Sequence, residues 1–127
     1  MHIAPGIHRS EWLKLKLDDG TSTDWNRAIE IFNERINSRY IEPVDLLIKK
    51  DNEQTALKRR YGFSILAIDC LLIETLQSFI EGLIDTRGKS QKMFEEFLTC
   101  SKGFCKYFDK EKAANFCLAL NSIDKSL

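Results

Sequence analysis

Residues 61–85 read YGFSILAIDCLLIETLQSFIEGLID, and this stretch decides the fold class. At about 100° per residue, Ile65, Ile68, Leu72, Leu76, Phe79, Ile80 and Leu83 fall on one broad apolar face. That spacing predicts one long helix over about residues 60–85. Glu74, Gln77, Glu81 and Asp85 make a separate polar stripe. Asp69 departs from the stripe and projects among Leu72, Ile73 and Leu76. A carboxylate in such surroundings is costly unless it is ion-paired, hydrogen-bonded or protonated. Its candidate partners are Arg27, Arg35 and Arg39 of an upstream helix; the alternative is that Asp69 orients a catalytic arginine or holds a raised pKa. Asp69, Glu74 and Gln77 are therefore the buried polar candidates.

The same helix raises the question of a membrane. A span of about 20 residues would enclose Asp69, Glu74, Gln77 and Glu81, a costly set in hydrocarbon. The expectation is a core helix of a soluble, cytoplasmic protein with no membrane partner. The first residues, MHIAPGIHRSEW, hold no apolar run of the kind that directs export.

Upstream, Thr23 or Asp24 can cap a helix carrying Trp25, Ala28, Ile29, Phe32, Ile36 and Tyr40 at helical spacing. Pro43 suits the first turn of a second, short helix through Leu46, Leu47 and Ile48. Residues 49–60, KKDNEQTALKRR, form a charged connector. Downstream, Ser90 caps a helix with Met93, Phe94, Phe97 and Leu98 inside, and a last helix carries Ala113, Phe116, Cys117 and Leu120. The alternation WLKLKL at residues 12–17, running into the Asp19-Gly20 turn, reads as a lone strand. The expected fold is all-α: a bundle of about five helices around the long central one, over residues 23–127. Residues 1–22 form an extended N-terminal arm.

At 127 residues, 43% apolar and 30% charged, the chain is a folded protein and not a disordered one. Net charge is zero, so attraction to nucleic acid must come from a local patch. Lys58, Arg59 and Arg60 are the candidates for such a contact, with Tyr61 and Phe63 placed to stack on bases. Cys100 and Cys105 are too widely spaced for a redox Cys-x-x-C pair. The only histidines, His2 and His8, lie far from Cys117, so neither metal nor other cofactor is expected. Gly88-Lys89-Ser90 has the wrong spacing from Gly82, and the wrong preceding element, for a phosphate-binding loop. Glu74, Gln77 and Glu81 read better as a solvated stripe or a subunit contact than as a di-metal site.

The stretches RYIEPVDLLI (residues 39–48) and GFSILAIDCLLIETLQ (62–77), continuing through DTRGKS (85–90) and the 94–98 segment, resemble an uncharacterised bacterial helical protein family. That family is itself similar to the HEPN-type ribonucleases of defence and toxin systems. The resemblance implies a helical bundle in which an Arg-x4-His motif from each of two subunits meets at a dimer interface and cleaves RNA without metal. After Phe116 this chain has neither arginine nor histidine, so no catalytic residue carries over. What is implied is a truncated, non-catalytic member acting by self-association or partner binding. A homodimer or higher oligomer is expected, with RNA as a further candidate partner; the alternative functions are a metal-independent ribonuclease or a nucleic-acid-binding protein using the basic segment 58–60.

Overall fold

A computed structural model describes residues 1–126, with side chains through residue 120 and at 122. The protein is all-α as expected, 65% helix and 4% strand. It forms two compact units, Met1–Ile68 and Asp69–Leu127.

The first unit opens with an antiparallel hairpin of β1 (His2–Ala4) and β2 (Ile7–His8). Pro5 and Gly6 reverse the chain, and Gly6 takes φ 70°, a region that L side chains rarely adopt. The strand expected at residues 12–17 does not form. Instead α1 (Arg9–Trp12) is followed by helical turns, with the N–H groups of Leu13, Lys14 and Leu15 donating to the carbonyls of Arg9, Glu11 and Trp12. These local bonds satisfy the backbone where a lone strand would have left it unpaired. The alternation in burial survives only over residues 14–17, with Leu15 and Leu17 half-buried and Lys14 and Lys16 exposed, whereas Leu13 is exposed and Trp12 half-buried.

Helix α2 (Asp24–Ile36) starts where expected, yet Thr23 makes no side-chain cap. The Asp24 carboxylate is engaged elsewhere, accepting the Lys16 N–H at 2.8 Å. The inward face is also rotated from the expected one. Ala28 and Ile31 are buried, whereas Trp25 and Ile29 are exposed. The Trp25 indole N–H donates to the Asp19 carbonyl at 2.9 Å, which holds the ring toward the 19–20 turn.

A π-helical turn, Asn37–Ile41, joins α2 to α3 (Glu42–Asn52), with the Glu42 N–H reaching back to the Asn37 carbonyl. Pro43 lies in the first turn of α3, as its sequence position suggests. Its ring crowds the preceding turn and it brings no N–H, conditions that a widened turn accommodates.

Asp51, near the end of α3, is buried at 8% exposure. Its two carboxylate oxygens accept the N–H groups of Arg60 (3.1 Å) and Tyr61 (3.0 Å), just ahead of α4 (Gly62–Glu81). The negative charge therefore sits at the positive end of that helix. Asp51→Ala would strand two backbone donors and is expected to cost about 2 kcal/mol. Asp51→Asn, which keeps one acceptor, should cost less. Urea midpoints decide the matter, and an Ala variant as stable as the wild type would dismiss the capping role.

Helix α4 ends at Glu81, short of the 85 expected, because Gly82 adopts φ 65°. The Gly82 N–H donates to Phe79 and the Leu83 N–H to Ser78, the paired bonds of a Schellman stop. In the second unit, α5 (Ser90–Cys100) and α6 (Lys110–Ser126) enclose the core of Phe94, Leu98, Ala113 and Cys117. Cys70 and Ile73 of α4 pack against it, along with the half-buried Phe97, Phe116 and Leu120. The helical spacing of the last two helices anticipated this core. Ser90 does not cap α5; its hydroxyl donates to Glu74 Oε1 at 2.9 Å instead. Asp109 does cap α6, accepting the Lys112 N–H at 2.8 Å, and this bond lowers its pKa.

Candidate interaction surface

Within the second unit, α4 presents two different sides. The side toward α5 and α6 carries Cys70, Ile73, Glu74, Gln77 and Ser78. Gln77, at 8% exposure, is the one buried residue of α4 among the described residues. Its amide donates to Glu81 Oε1 at 2.8 Å, and Ser78 Oγ lies 3.9 Å from Met93 Sδ. The stripe read as solvated or as a subunit contact is thus a seam between helices of one chain. Glu74 is half-buried and tied to Ser90.

The seam ends in a carboxyl pair. The neighbouring Glu81 raises the pKa of Glu96, while Glu96 and the Gln77 hydrogen bond lower that of Glu81. Carboxyls pushed apart in this way can divide acid and base roles. Here Lys92 Nζ lies 3.6 Å from Glu96, and Glu81 is exposed. With Glu81 exposed and Lys92 beside Glu96, the pair reads as a helix–helix tie.

The remainder of α4 stays wet. The helix is long and apolar enough to cross a membrane by length and composition, yet only 6% of that stretch is buried. Its second-unit end is open: Phe79 is 55% exposed, Ile80 73%, and Ile84, just beyond the Gly82 stop, is fully exposed. Beside them lies a notch of about 310 Å³ lined by Thr75, Ser78, Phe79, Gly82 and Leu83.

Asp69 is half-buried and makes no ion pair or hydrogen bond among the described residues. Arg27 instead holds Glu11 and Glu30, and Arg35 donates to the Ile3 carbonyl at 2.8 Å. Desolvation raises the Asp69 pKa above 3.8. The folded state therefore retains a proton that the unfolded chain has released, and stability falls as pH rises from 3.8 through the folded value. Asp69→Asn is expected to raise Tm at neutral pH, with the gain vanishing below pH 3.8. An unchanged or lower Tm at pH 7 would show that the charge is compensated. The Cys70 thiol is pushed up by burial and by Asp69, and Cys117 by burial, so neither is an activated nucleophile.

Lys58, Arg59 and Arg60 are all exposed, and Arg60 Cζ lies 5.7 Å from the Tyr61 ring centroid. Cys100 and Cys105 are exposed and Cys117 is buried. No group of three metal-ligating side chains occurs among the described residues.

Sequence reasoning missed two features. The Pro5-Gly6 dipeptide was a legible turn signal for the hairpin, whereas nothing local marked Asp51 as a cap, because its donors lie nine and ten residues downstream. Compared with family models, curated proteins and solved structures, the chain matches none.

Proposed function

We propose that this protein is a non-catalytic helical module that pairs with a second copy of itself through the C-terminal end of α4. The observation that carries the reading is the exposure of Ile80 and Ile84 beside the Thr75–Ser78–Gly82–Leu83 notch. Around a two-fold axis the same patch meets itself, so the isoleucines of each copy can fill the notch of the other. Zero net charge leaves no long-range repulsion between copies.

A bilayer is a poorer occupant of this surface. Lipid would surround α4, but one side of the helix already carries the Glu74–Ser90 bond and packs against α5 and α6. The resemblance to HEPN-type proteins fits pairing, since their subunits meet at a two-fold interface. The non-catalytic reading rests on Glu74 and Glu81 being engaged by Ser90 and Gln77 in the helix seam. RNA binding through Lys58, Arg59 and Arg60 has the exposure of those side chains in its favour, with nothing further to fix a bound strand. The deciding measurement is the oligomeric state of the wild-type chain and of the Ile80→Glu/Ile84→Glu variant.

A further inference from the structure

We propose that an open groove between the N-terminal hairpin and the π turn of the first unit binds a phosphoryl oxyanion, either free phosphate or the phosphate of a small nucleotide. The groove measures about 470 Å³ and is lined by His2, Ala4, Pro5, Gly6, Ser38 and Arg39. No carboxylate lines it. This is notable in a chain with as many acidic as basic residues, where Arg27 and Arg87 each hold a carboxylate.

Arg39 is the one guanidinium group that lines this groove among the described residues. Arg39 is exposed and makes no ion pair or hydrogen bond among the described residues. Arg35, four residues earlier, donates to the Ile3 carbonyl at 2.8 Å and so fastens β1 to α2. It has no carboxylate partner among the described residues. Burial, and then the like charge of Arg39, lower its pKa. An oxyanion held by Arg39 would offset that like charge.

The donors suit a phosphoryl group. The planar fork of Arg39 can present two parallel N–H bonds to two oxygens. The Ser38 hydroxyl is held only by a long 3.4 Å bond to the Arg35 carbonyl and is free to turn toward a ligand. His2 adds a ring nitrogen. The groove is open to solvent, so a phosphoryl group can reach these donors without rearrangement of the fold.

The test is an amide-resolved NMR titration of the full chain, first with inorganic phosphate and then with a nucleoside monophosphate. Saturable shifts are expected at residues 2–6 and 35–39. Arg39→Gln should weaken binding about tenfold by removing the bidentate, charge-assisted donor, with Tm unchanged because Arg39 is exposed. Lys106→Gln, in the second unit, should bind as the wild type does. Tighter binding of the monophosphate would identify a nucleotide as the ligand, and equal binding would identify phosphate alone. Shifts that grow linearly without saturation, or an Arg39→Gln variant that binds like the wild type, would overturn the assignment. The groove belongs to the first unit and the pairing patch to the second, so the two ideas fail independently.

Discussion

At micromolar concentration the wild-type chain is expected to sediment at twice 14.7 kDa, and the Ile80→Glu/Ile84→Glu variant at 14.7 kDa. Burying one isoleucine stabilises by roughly 1.5–3 kcal/mol, and two-fold symmetry counts each contact twice. Two glutamates per copy replace that gain with carboxylates that must be desolvated in an apolar notch. Even a loss of about 2.7 kcal/mol weakens pairing about 100-fold, enough to give monomers at this concentration. Both isoleucines are largely exposed in the single chain, so the substitutions should leave the helices intact by circular dichroism. Linkage supplies a second readout. The wild-type Tm should rise with protein concentration, and the variant's should not. A monomeric wild type, or a variant that still dimerises, would falsify the pairing surface.

Leu98→Ala should be among the most damaging single truncations in the second unit. Leu98 is 2% exposed and belongs to the cluster of Phe94, Ala113 and Cys117 that joins α5 to α6. Removing its branched end forfeits transfer free energy and leaves a cavity, together about 3 kcal/mol. That is a large share of the roughly 5–15 kcal/mol that holds a domain folded. The expected fall in Tm is about 10 °C. Leu98→Met, which conserves volume, should cost less than about 1.5 kcal/mol. If Ala and Met behaved alike in calorimetry, tight packing at this position would be refuted.

Much of the fold was legible because it depends on spacing that a helix enforces locally. Met93, Phe94 and Leu98, and then Ala113 and Cys117, recur at helical intervals and are buried together. The start of α2 at Asp24 and the place of Pro43 in the first turn of α3 were readable for the same reason. The errors lie where two local readings compete. WLKLKL alternates like a strand, but alternation is only half of a strand; no partner lies beside it, and short-range bonds took the backbone instead. Ser90 has the chemistry of a cap, yet its hydroxyl went to Glu74, a partner that no local pattern announces.

The sequence by itself determined that this protein is helical, where most of its helices run, and that no charge field dominates its surface. Periodicity, proline placement and composition act within a few residues and need no fold to operate. Tertiary structure decided which faces are inward. In α2 the buried face moved from Trp25 and Ile29 to Ile31, and in α4 the apolar residues stayed half-exposed while Gln77 became the buried one. Burial is a property of what packs opposite. Along α4 the glutamine and serine at 77–78 sit on the side that meets α5, and hydrogen bonding to Glu81 offsets the cost of enclosing the glutamine. The same holds for Asp51 and for the groove lined by His2, Ser38 and Arg39. Each depends on chain segments brought together from a distance, which spacing along the sequence does not encode.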